Sequence, residues 1–375
     1  MQSPRRSERA VAIVNRHEIK VGLSISTSDK FQLRGQQALD GILLWQSHVN
    51  ANGGVRVGNI SRPVRLIHYD DGSGFSRAQE NVLRLIREDK IDVLFGPYSS
   101  GLTMAAAEIA EEHKKLLWNY GGTSDEIFER GWRYILGISS PASDYFRNLP
   151  HWLVKEYPSI SRICVLHSSK GTFAQQVARG LKEAVIATIP SVELVPFDMR
   201  LNDSEAVVSR IRDLSPDAVV LAGNFQDEVA IIRTRPHWPN SVRVTAAVAA
   251  GIASFASQLG KMADGILGPT QWEPHASPST VVGPSSAWFI DSFQKQFCTE
   301  PDYIAAGAFA TGLILTECIR QTSSLDDHKL RSIASDLDVR TFYGGFHVDA
   351  HNGKQMGHRV LLVEWREGTK AVLAC

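Results

Sequence analysis

The sequence predicts an α/β protein made of two doubly wound, Rossmann-like lobes. Three observations lead to this prediction. From Ile19 onward, strand-like runs alternate with helix-like runs, and short loops join them. Such units form right-handed crossovers and build a parallel sheet. A second series of the same kind follows Ser140, and a length of 375 residues suits two domains better than one.

The first series gives four strands and three helices. In the second helix, Val82, Leu83 and Ile86 fall on one face, as expected of an amphipathic helix. The strand before it ends in Asp70-Asp71-Gly72, a polar sequence typical of a loop. The predicted strands are 19–25, 64–69, 93–95 and 116–119, and the predicted helices are 33–49, 78–87 and 102–112.

The second series has a similar size, and a different pattern follows it. The predicted helices of this series are 143–156, 173–186, 204–214 and 226–234, and its strands are 163–167, 192–197, 218–222 and 242–246. Three further helices are predicted at 287–297, 305–321 and 330–337. A hairpin then pairs 342–348 with 358–365 across the polar turn 349–354.

The overall composition excludes some classes of protein. Lys and Arg number 40 together, as do Asp and Glu, so the formal net charge is zero. Nucleic-acid-binding proteins usually have a clear basic excess, so we expect no nucleic-acid partner. No apolar run approaches the roughly 18 residues of a membrane span, so no span is predicted. The four cysteines are scattered, and their number requires no disulfide.

The first 17 residues form an Arg-rich segment that we interpret as a flexible lead-in. Its longest apolar run, Ala10 to Val14, is five residues long, whereas a secretory signal needs about 7–15. Two localisations therefore stay open. The chain is cytoplasmic if Met1 is the native start, and periplasmic if an export signal is missing from this sequence.

Two neighbouring loops suggest a binding site. Tyr98, Ser99 and Ser100 follow the strand 93–95, and the run Gly121–Thr123 follows the strand 116–119. In a parallel sheet such loops lie together at the carboxyl edge, where ligands bind. Their backbone N–H groups and the next helix N-terminus suit a carboxylate or another compact anion. The alternative interpretation is a pair of ordinary Gly/Ser turns.

No motif indicates an enzyme or a metal site. The GxSxG, GxxxxGK[ST], HExxH and GxGxxG patterns are absent, so no catalytic residue and no cofactor is predicted. His347, His351 and His358 are close in sequence, but their spacing across a turn lets at most two converge. We therefore expect exposed imidazoles rather than a metal site.

Several segments in order resemble a known family. The strand IKVGLSI opens the series, and Gly35 and a helix running into VNANGGV follow it. Next comes LIHYDDGSG, a strand that ends in acidic residues. After these come IDVLFGPYSS, GGTSDEIFERGWRYIL, PDAVVLAGNF and YGGFHVDAHNG. In order and spacing, residues 18–366 resemble the type I periplasmic binding proteins of the leucine/isoleucine/valine-binding group. They are also similar to that group's cytosolic relative, the bacterial amide sensor.

The resemblance implies a specific domain organisation. The chain of such proteins crosses between two lobes three times, and the lobes close by a hinge on a ligand in the central cleft between them. Carried over, the crossings fall near 137–143, 268–273 and 343–351. Lobe one would comprise 18–140 and 273–343, lobe two 141–272 and 344–366, and a tail 367–375.

The resemblance also assigns ligand-binding residues. The serine and the small-small-Thr loop that hold a ligand carboxylate in the family correspond to Ser100 and to Gly121, Gly122 and Thr123. The aromatic cover from lobe two corresponds to Phe173. The position after PDAVVLAG corresponds to Asn224 and Phe225. Tyr98 and Ser99 belong to the same predicted site.

The departures from the family concern the ligand's ammonium group. Family members that bind amino acids meet this group with acids of lobe two, and those positions here are Ala142 and Val248. Asp144 lies two residues from Ala142 and is a possible substitute. Arg34 stands where the family often has an aromatic, and an arginine there can bind an anion in bidentate fashion. The alternative for Arg34 is an ordinary solvated side chain.

These features predict a binding protein and not an enzyme. We expect a solute-binding protein that delivers a small polar ligand to an ABC permease. An amino-acid-like compound, an organic or aromatic acid and an amide all remain candidate ligands, and a branched-chain amino acid fits least well. The alternative is a cytosolic sensor that passes a ligand signal to a regulator protein. The aromatics near the loops, among them Phe31, Tyr120 and Tyr303, suit a flat or apolar ligand.

Overall fold

The computed structural model describes residues 18–199, 203–276 and 279–374. The predicted lead-in, residues 1–17, lies outside the described residues. In chain order the strands are β1 (Ile19–Ile25), β2 (Val55–Val57), β3 (Ile60–Arg62), β4 (Val64–Asp70), β5 (Val93–Phe95), β6 (Leu117–Asn119), β7 (Ile135–Gly137), β8 (Arg162–Ser168), β9 (Glu193–Met199), β10 (Ala218–Ala222), β11 (Val244–Ala247), β12 (Ile266–Thr270), β13 (Val339–Arg340), β14 (Gly345–Phe346), β15 (Leu361–Arg366) and β16 (Thr369–Ala374).

Helices lie between most of these strands, as the alternation predicts, and the last three follow one another without a strand between them. They are α1 (Gln32–Ala51), α2 (Phe75–Arg87), α3 (Ser100–Glu112), α4 (Glu126–Glu129), α5 (Leu149–Glu156), α6 (Thr172–Thr188), α7 (Ser204–Leu214), α8 (Phe225–Ile232), α9 (Ser254–Leu259), α10 (Ser286–Phe297), α11 (Tyr303–Thr322) and α12 (Asp327–Asp336).

Two large sheets confirm the α/β, two-lobe architecture. The first has the order β4-β1-β5-β6-β7, and all its strands are parallel. The second has the order β16-β15-β12-β11-β10-β8-β9. Its strands β8 to β12 are parallel, whereas β15 runs antiparallel to β12 and to β16. Helices cover both faces of each sheet, which explains why the central strands are apolar throughout.

Helix α11 anchors the core of the first lobe. It packs along α1, and the Trp45 indole lies against Gly312, where a Cβ atom would come within 2.2 Å of the ring. Only glycine fits there. Asp302 caps this helix by accepting the N–H groups of Ile304 and Ala305 at 2.8 and 3.1 Å. In length and composition α11 could cross a membrane, but 78% of its most apolar stretch is buried inside the protein, as in the core helix of a globular fold.

The chain passes between the two lobes three times. At each passage, neighbouring apolar residues change from the core of one lobe to that of the other, at Ile138 and Ala142, Leu267 and Trp272, and Val348 and Val360. The third passage lies later than predicted. Phe346 and Val348, which were assigned to lobe two, pack in the core of lobe one because β14 pairs with β13. The remaining predicted lobe boundaries stay predictions.

Three other sequence predictions are wrong in detail. The hairpin of 342–348 with 358–365 does not form, because β15 pairs instead with β12 and β16. The predicted tail, 367–375, contains β16, an edge strand of the second sheet. The helix predicted at 143–156 is broken, with a 3-10 turn at Ala142–Asp144 before α5.

His358 lies buried at the third passage, although an exposed imidazole was expected. Its ring stacks on Tyr343 with centroids 4.5 Å apart, and its Nε2 lies 2.8 Å from the Gln271 carbonyl oxygen. Burial lowers the pKa of His358 to about 4, although the contact with Gln271 opposes the shift.

This low pKa predicts a pH dependence of stability. Between pH 6.5 and 4 the unfolded chain binds a proton at His358 and the folded chain does not, so the free energy of unfolding should fall as the pH falls through this window. Urea unfolding at several pH values should show the stability of the wild type approaching that of His358→Gln on acidification. A difference between the two proteins that stays constant over this window would contradict the prediction.

Candidate functional site

A cleft of about 660 Å³ separates the two lobes. On the side of lobe one it is lined by the segments after β1, β4, β5, β6 and β7 and by the start of α11. On the side of lobe two, the loops after β8, β10 and β11 face it. These are the carboxyl ends of parallel strands, where the sequence placed the site. Of the predicted site residues, the cleft is lined by Arg34, Tyr98, Ser99, Ser100, Gly121, Thr123, Phe173, Asn224 and Phe225.

Ser100 joins the two loops that the sequence singled out. Its Oγ accepts the backbone N–H groups of Thr123 and Ser124 at 3.2 and 3.0 Å. Because both bonds use the hydroxyl oxygen as acceptor, the hydroxyl proton remains available as a donor toward the cleft. The side chain is thus oriented before any ligand arrives.

Ser99 holds a backbone conformation that is unusual for a residue with a side chain. Its φ is 85° and its ψ 145°, and its Oγ caps α3 by accepting the Leu102 N–H at 3.4 Å. Non-glycine residues in such regions are enriched at ligand sites, where the surrounding structure holds them. The bend directs the first turn of α3 toward the cleft.

The two glycines of the Gly121–Thr123 loop have different roles. Gly121 passes so close to Pro97 that a Cβ atom would lie 2.4 Å from the Pro97 carbonyl oxygen, so this position requires glycine. Gly122 departs from the prediction, because its N–H donates to Asn119 Oδ1 at 2.8 Å and is not available to a ligand. Gly122 thus stabilises the loop through its bond to Asn119, and it does not line the cleft.

Thr123 connects the first lobe to an aromatic wall of the second. Its Oγ1 lies 3.3 Å from the Tyr145 hydroxyl, and the Tyr145 ring meets the Phe173 ring edge to face at 5.3 Å. Nearby, Ser124 Oγ and Thr172 Oγ1 are 2.9 Å apart, which adds a second polar contact between the lobes. The carboxylate-suited loop therefore lies beside an apolar surface.

Arg34 reaches across the cleft. The carbon of its guanidinium group lies 4.8 Å from the centroid of the Phe225 ring, which belongs to the opposite lobe. This is a cation–π contact. The Nη2 atom of Arg34 is buried and has no hydrogen-bond partner among the described residues. Arg34 thus offers a donor to an anion in the cleft.

The second-lobe side is built around helix α8. Asn224 caps α8 by accepting the Asp227 N–H at 3.1 Å, and its amide also contacts the Asp227 carboxylate. Glu228, which the sequence gave no reason to select, is fully buried and accepts the N–H groups of Gly223 and Ala249. It therefore joins the two loops that carry the second-lobe wall. Burial raises the pKa of Glu228 to about 8, although both N–H contacts oppose the shift.

The charges that line the cleft favour an anion. Among the described lining residues, Lys30, Arg34 and Lys170 are cationic, and Asp227 is the one acid. Asp144, considered as a substitute for the missing acids, does not line the cleft and pairs with Arg147 at 2.7 Å. Val248 does line it, as an apolar side chain. A ligand ammonium would therefore find few negative groups here.

Aromatic rings make up much of the remaining wall. The lining rings are Phe31, Phe75, Tyr98, Tyr120, Tyr145, Phe173, Phe225 and Tyr303. Phe31 and Tyr98 pack edge to face at 5.7 Å. Sequence reasoning did not select Phe75 or Tyr145. Phe75 opens α2 and Tyr145 follows the first passage between the lobes, and neither position carries a recognisable motif.

No metal site is found in the part of the chain that the structure describes. It contains no group of three His, Cys, Asp or Glu side chains arranged to hold an ion. His347 and His351 are exposed and His358 is buried elsewhere, so the three histidines do not converge.

Comparison with known proteins agrees with this architecture. The family model for periplasmic binding proteins matches residues 18–370. Leu/Ile/Val-binding protein homolog 7 of Brucella abortus is 22% identical over 370 residues, which cover 94% of this chain and 90% of the relative.

Two solved structures share the fold at low sequence identity. The leucine-binding protein LivK of Thermotoga maritima superposes with a TM-score of 0.80 at 19% identity, covering 95% of this chain and 98% of that one. A solute-binding protein of an ABC transporter from Rhodopseudomonas palustris, in complex with 3,4-dihydroxybenzoic acid, gives a TM-score of 0.79 at 19% identity, covering 95% and 96%. With its two-lobed fold, its interlobe cleft and a family match over nearly its whole length, the chain belongs to the periplasmic binding protein family.

Proposed function

We propose that this protein captures a small carboxylate with an aromatic or apolar body and delivers it to an ABC permease from the periplasm. The observation that carries the proposal is the composition of the cleft wall. It combines an unpartnered guanidinium nitrogen of Arg34 and the oriented hydroxyl of Ser100 with aromatic rings. An anionic end and a flat, uncharged body complement such a wall.

The charge balance argues against an ordinary amino acid. A buried ammonium group without a partner is costly. Of the described lining residues, only Asp227 carries a negative charge, and the Asn224 amide and backbone already contact it. The Thermotoga maritima neighbour is a leucine-binding protein and the Rhodopseudomonas palustris neighbour holds 3,4-dihydroxybenzoic acid, and the cleft chemistry of this chain favours a ligand of the second kind.

Binding should proceed without chemical change. Isothermal titration calorimetry with benzoate, 3-phenylpropionate and 4-methylvalerate should give saturable one-to-one binding of at least one ligand. Chromatography after overnight incubation should recover the ligand unaltered. Absence of binding by all three would contradict the proposed ligand class, and an altered ligand would show catalysis.

Arg34 should contribute to the affinity for every carboxylate. Arg34→Gln should weaken binding by about fivefold, because Arg34 as a whole residue is only half-buried and solvent partly screens its charge. Arg162→Gln is the matched control. Arg162 pairs with Glu193 at 2.6 Å at the start of β8, the end of the strand away from the cleft. Equal carboxylate affinities of Arg34→Gln and Arg162→Gln would show that Arg34 does not contact the ligand.

A further inference from the structure

The Tyr120 side chain forms part of the cleft surface and carries an unused polar group. Tyr120 is only 4% exposed, it lines the cleft, and its hydroxyl is buried without a hydrogen-bond partner among the described residues. Buried hydroxyl groups are normally hydrogen-bonded, and an unpaired one calls for an explanation. A ligand in the cleft is the natural partner for this group.

Tyr120 and Asp71 both lie at the carboxyl edge of the first sheet. Tyr120 directly follows β6, and Asp71 directly follows β4, which is separated from β6 by β1 and β5. Burial raises the pKa of Tyr120, and the negative charge of Asp71 raises it further.

Asp71 cannot satisfy the Tyr120 hydroxyl in the observed arrangement. Its Oδ1 accepts the Ser26 hydroxyl at 2.6 Å and the Ser73 N–H at 2.9 Å. Its Oδ2 accepts the Ser24 hydroxyl at 3.2 Å. These bonds fix Asp71 and position Ser73, which itself lines the cleft. Asp71 therefore acts on the Tyr120 hydroxyl through its charge only.

The charge of Asp71 decides which ligand group can sit beside Tyr120. A second carboxylate there would be repelled by the buried acid. A neutral hydroxyl would not, and it can both accept from and donate to the Tyr120 hydroxyl. We infer that Tyr120 forms a second polar subsite that recognises a hydroxyl substituent on the body of the ligand. The ligand is then a hydroxylated aromatic carboxylate, a conclusion that rests on the proposed function.

The test compares benzoate with 3-hydroxybenzoate, 4-hydroxybenzoate and 4-fluorobenzoate by calorimetry. The wild type should bind at least one hydroxybenzoate about three- to tenfold more tightly than benzoate and 4-fluorobenzoate, since a neutral hydrogen bond contributes a factor of this size. Tyr120→Phe, which removes only the hydroxyl, should abolish this preference and change the affinity for benzoate by less than about twofold. Retained benzoate binding also shows that the variant is folded.

Tyr134→Phe provides the matched control, because the Tyr134 hydroxyl lies outside the cleft, 2.9 Å from His328 Nε2. This variant should keep the full preference. The inference is overturned if the wild type does not prefer any hydroxybenzoate, if Tyr120→Phe keeps the wild-type preference, or if it loses benzoate binding as well. Binding of benzoate without a hydroxyl preference would refute this subsite alone, whereas no binding of any carboxylate in the panel would also refute the proposed function.

Discussion

Replacing Ser100 by alanine should weaken carboxylate binding by roughly 10- to 150-fold. The hydroxyl proton is free to donate to the ligand, and a hydrogen bond to a charged group contributes about 1.5–3 kcal/mol. The substitution also leaves the Thr123 and Ser124 N–H groups without their acceptor, so the loop loses part of its support. Thr123→Val should have an effect in the same range, because it removes a second hydroxyl of the cleft wall, which lies 3.3 Å from the Tyr145 hydroxyl.

The measurement is calorimetry with the tightest carboxylate found, supported by circular dichroism to establish that each variant is folded. Ser61→Ala is the control. Ser61 is exposed on the β2–β3 hairpin and does not line the cleft. If both Ser100→Ala and Thr123→Val kept the wild-type affinity, the carboxylate would not bind at these loops.

The alternation of strands and helices could be predicted because burial determines it. Strands of a parallel sheet that is covered on both faces are short apolar runs, and the helices over them are amphipathic. The predicted strands 93–95 and 218–222 and the helix 204–214 match the observed bounds. The late hairpin could not be predicted in the same way. Its second segment reads as a strand, but the sequence does not state which strand it pairs with, and in the fold it pairs with β12 and β16.

The binding loops could be located, but not the use of each polar group. The sequence does not distinguish the roles of Gly121 and Gly122. Only the fold shows that the Gly122 N–H donates to Asn119 and is therefore not available to a ligand. Glu228 lies in an amphipathic helix where an acid would be expected to face solvent. Its burial depends on two loops that are distant in sequence, those of Gly223 and Ala249. Contacts of this kind have no local signature.

The cleft should select against an α-ammonium group. Carboxylates without an amino group should bind at least about tenfold more tightly than the corresponding amino acids, because an unpaired buried charge costs several kcal/mol and partial solvation still leaves ~1.4 kcal/mol. A thermal-shift and calorimetry panel would compare 3-phenylpropionate with phenylalanine and 4-methylvalerate with leucine. If the amino acids stabilise the protein and the deaminated compounds do not, an acid such as Asp227 must contact the ammonium.

A charge introduced at Val248 should change this selectivity. Val248 lines the cleft at the position where family members that bind amino acids are expected to carry an acid. Val248→Glu should improve the binding of phenylalanine relative to 3-phenylpropionate by about tenfold or more, since the new carboxylate attracts the ammonium and repels the anion. Glutamine has nearly the same shape as glutamate but carries no charge. Val248→Gln should therefore leave the ratio of the phenylalanine and 3-phenylpropionate affinities near the wild-type value. Equal ratios in the Glu and Gln variants would show that the ligand ammonium does not approach this part of the second lobe.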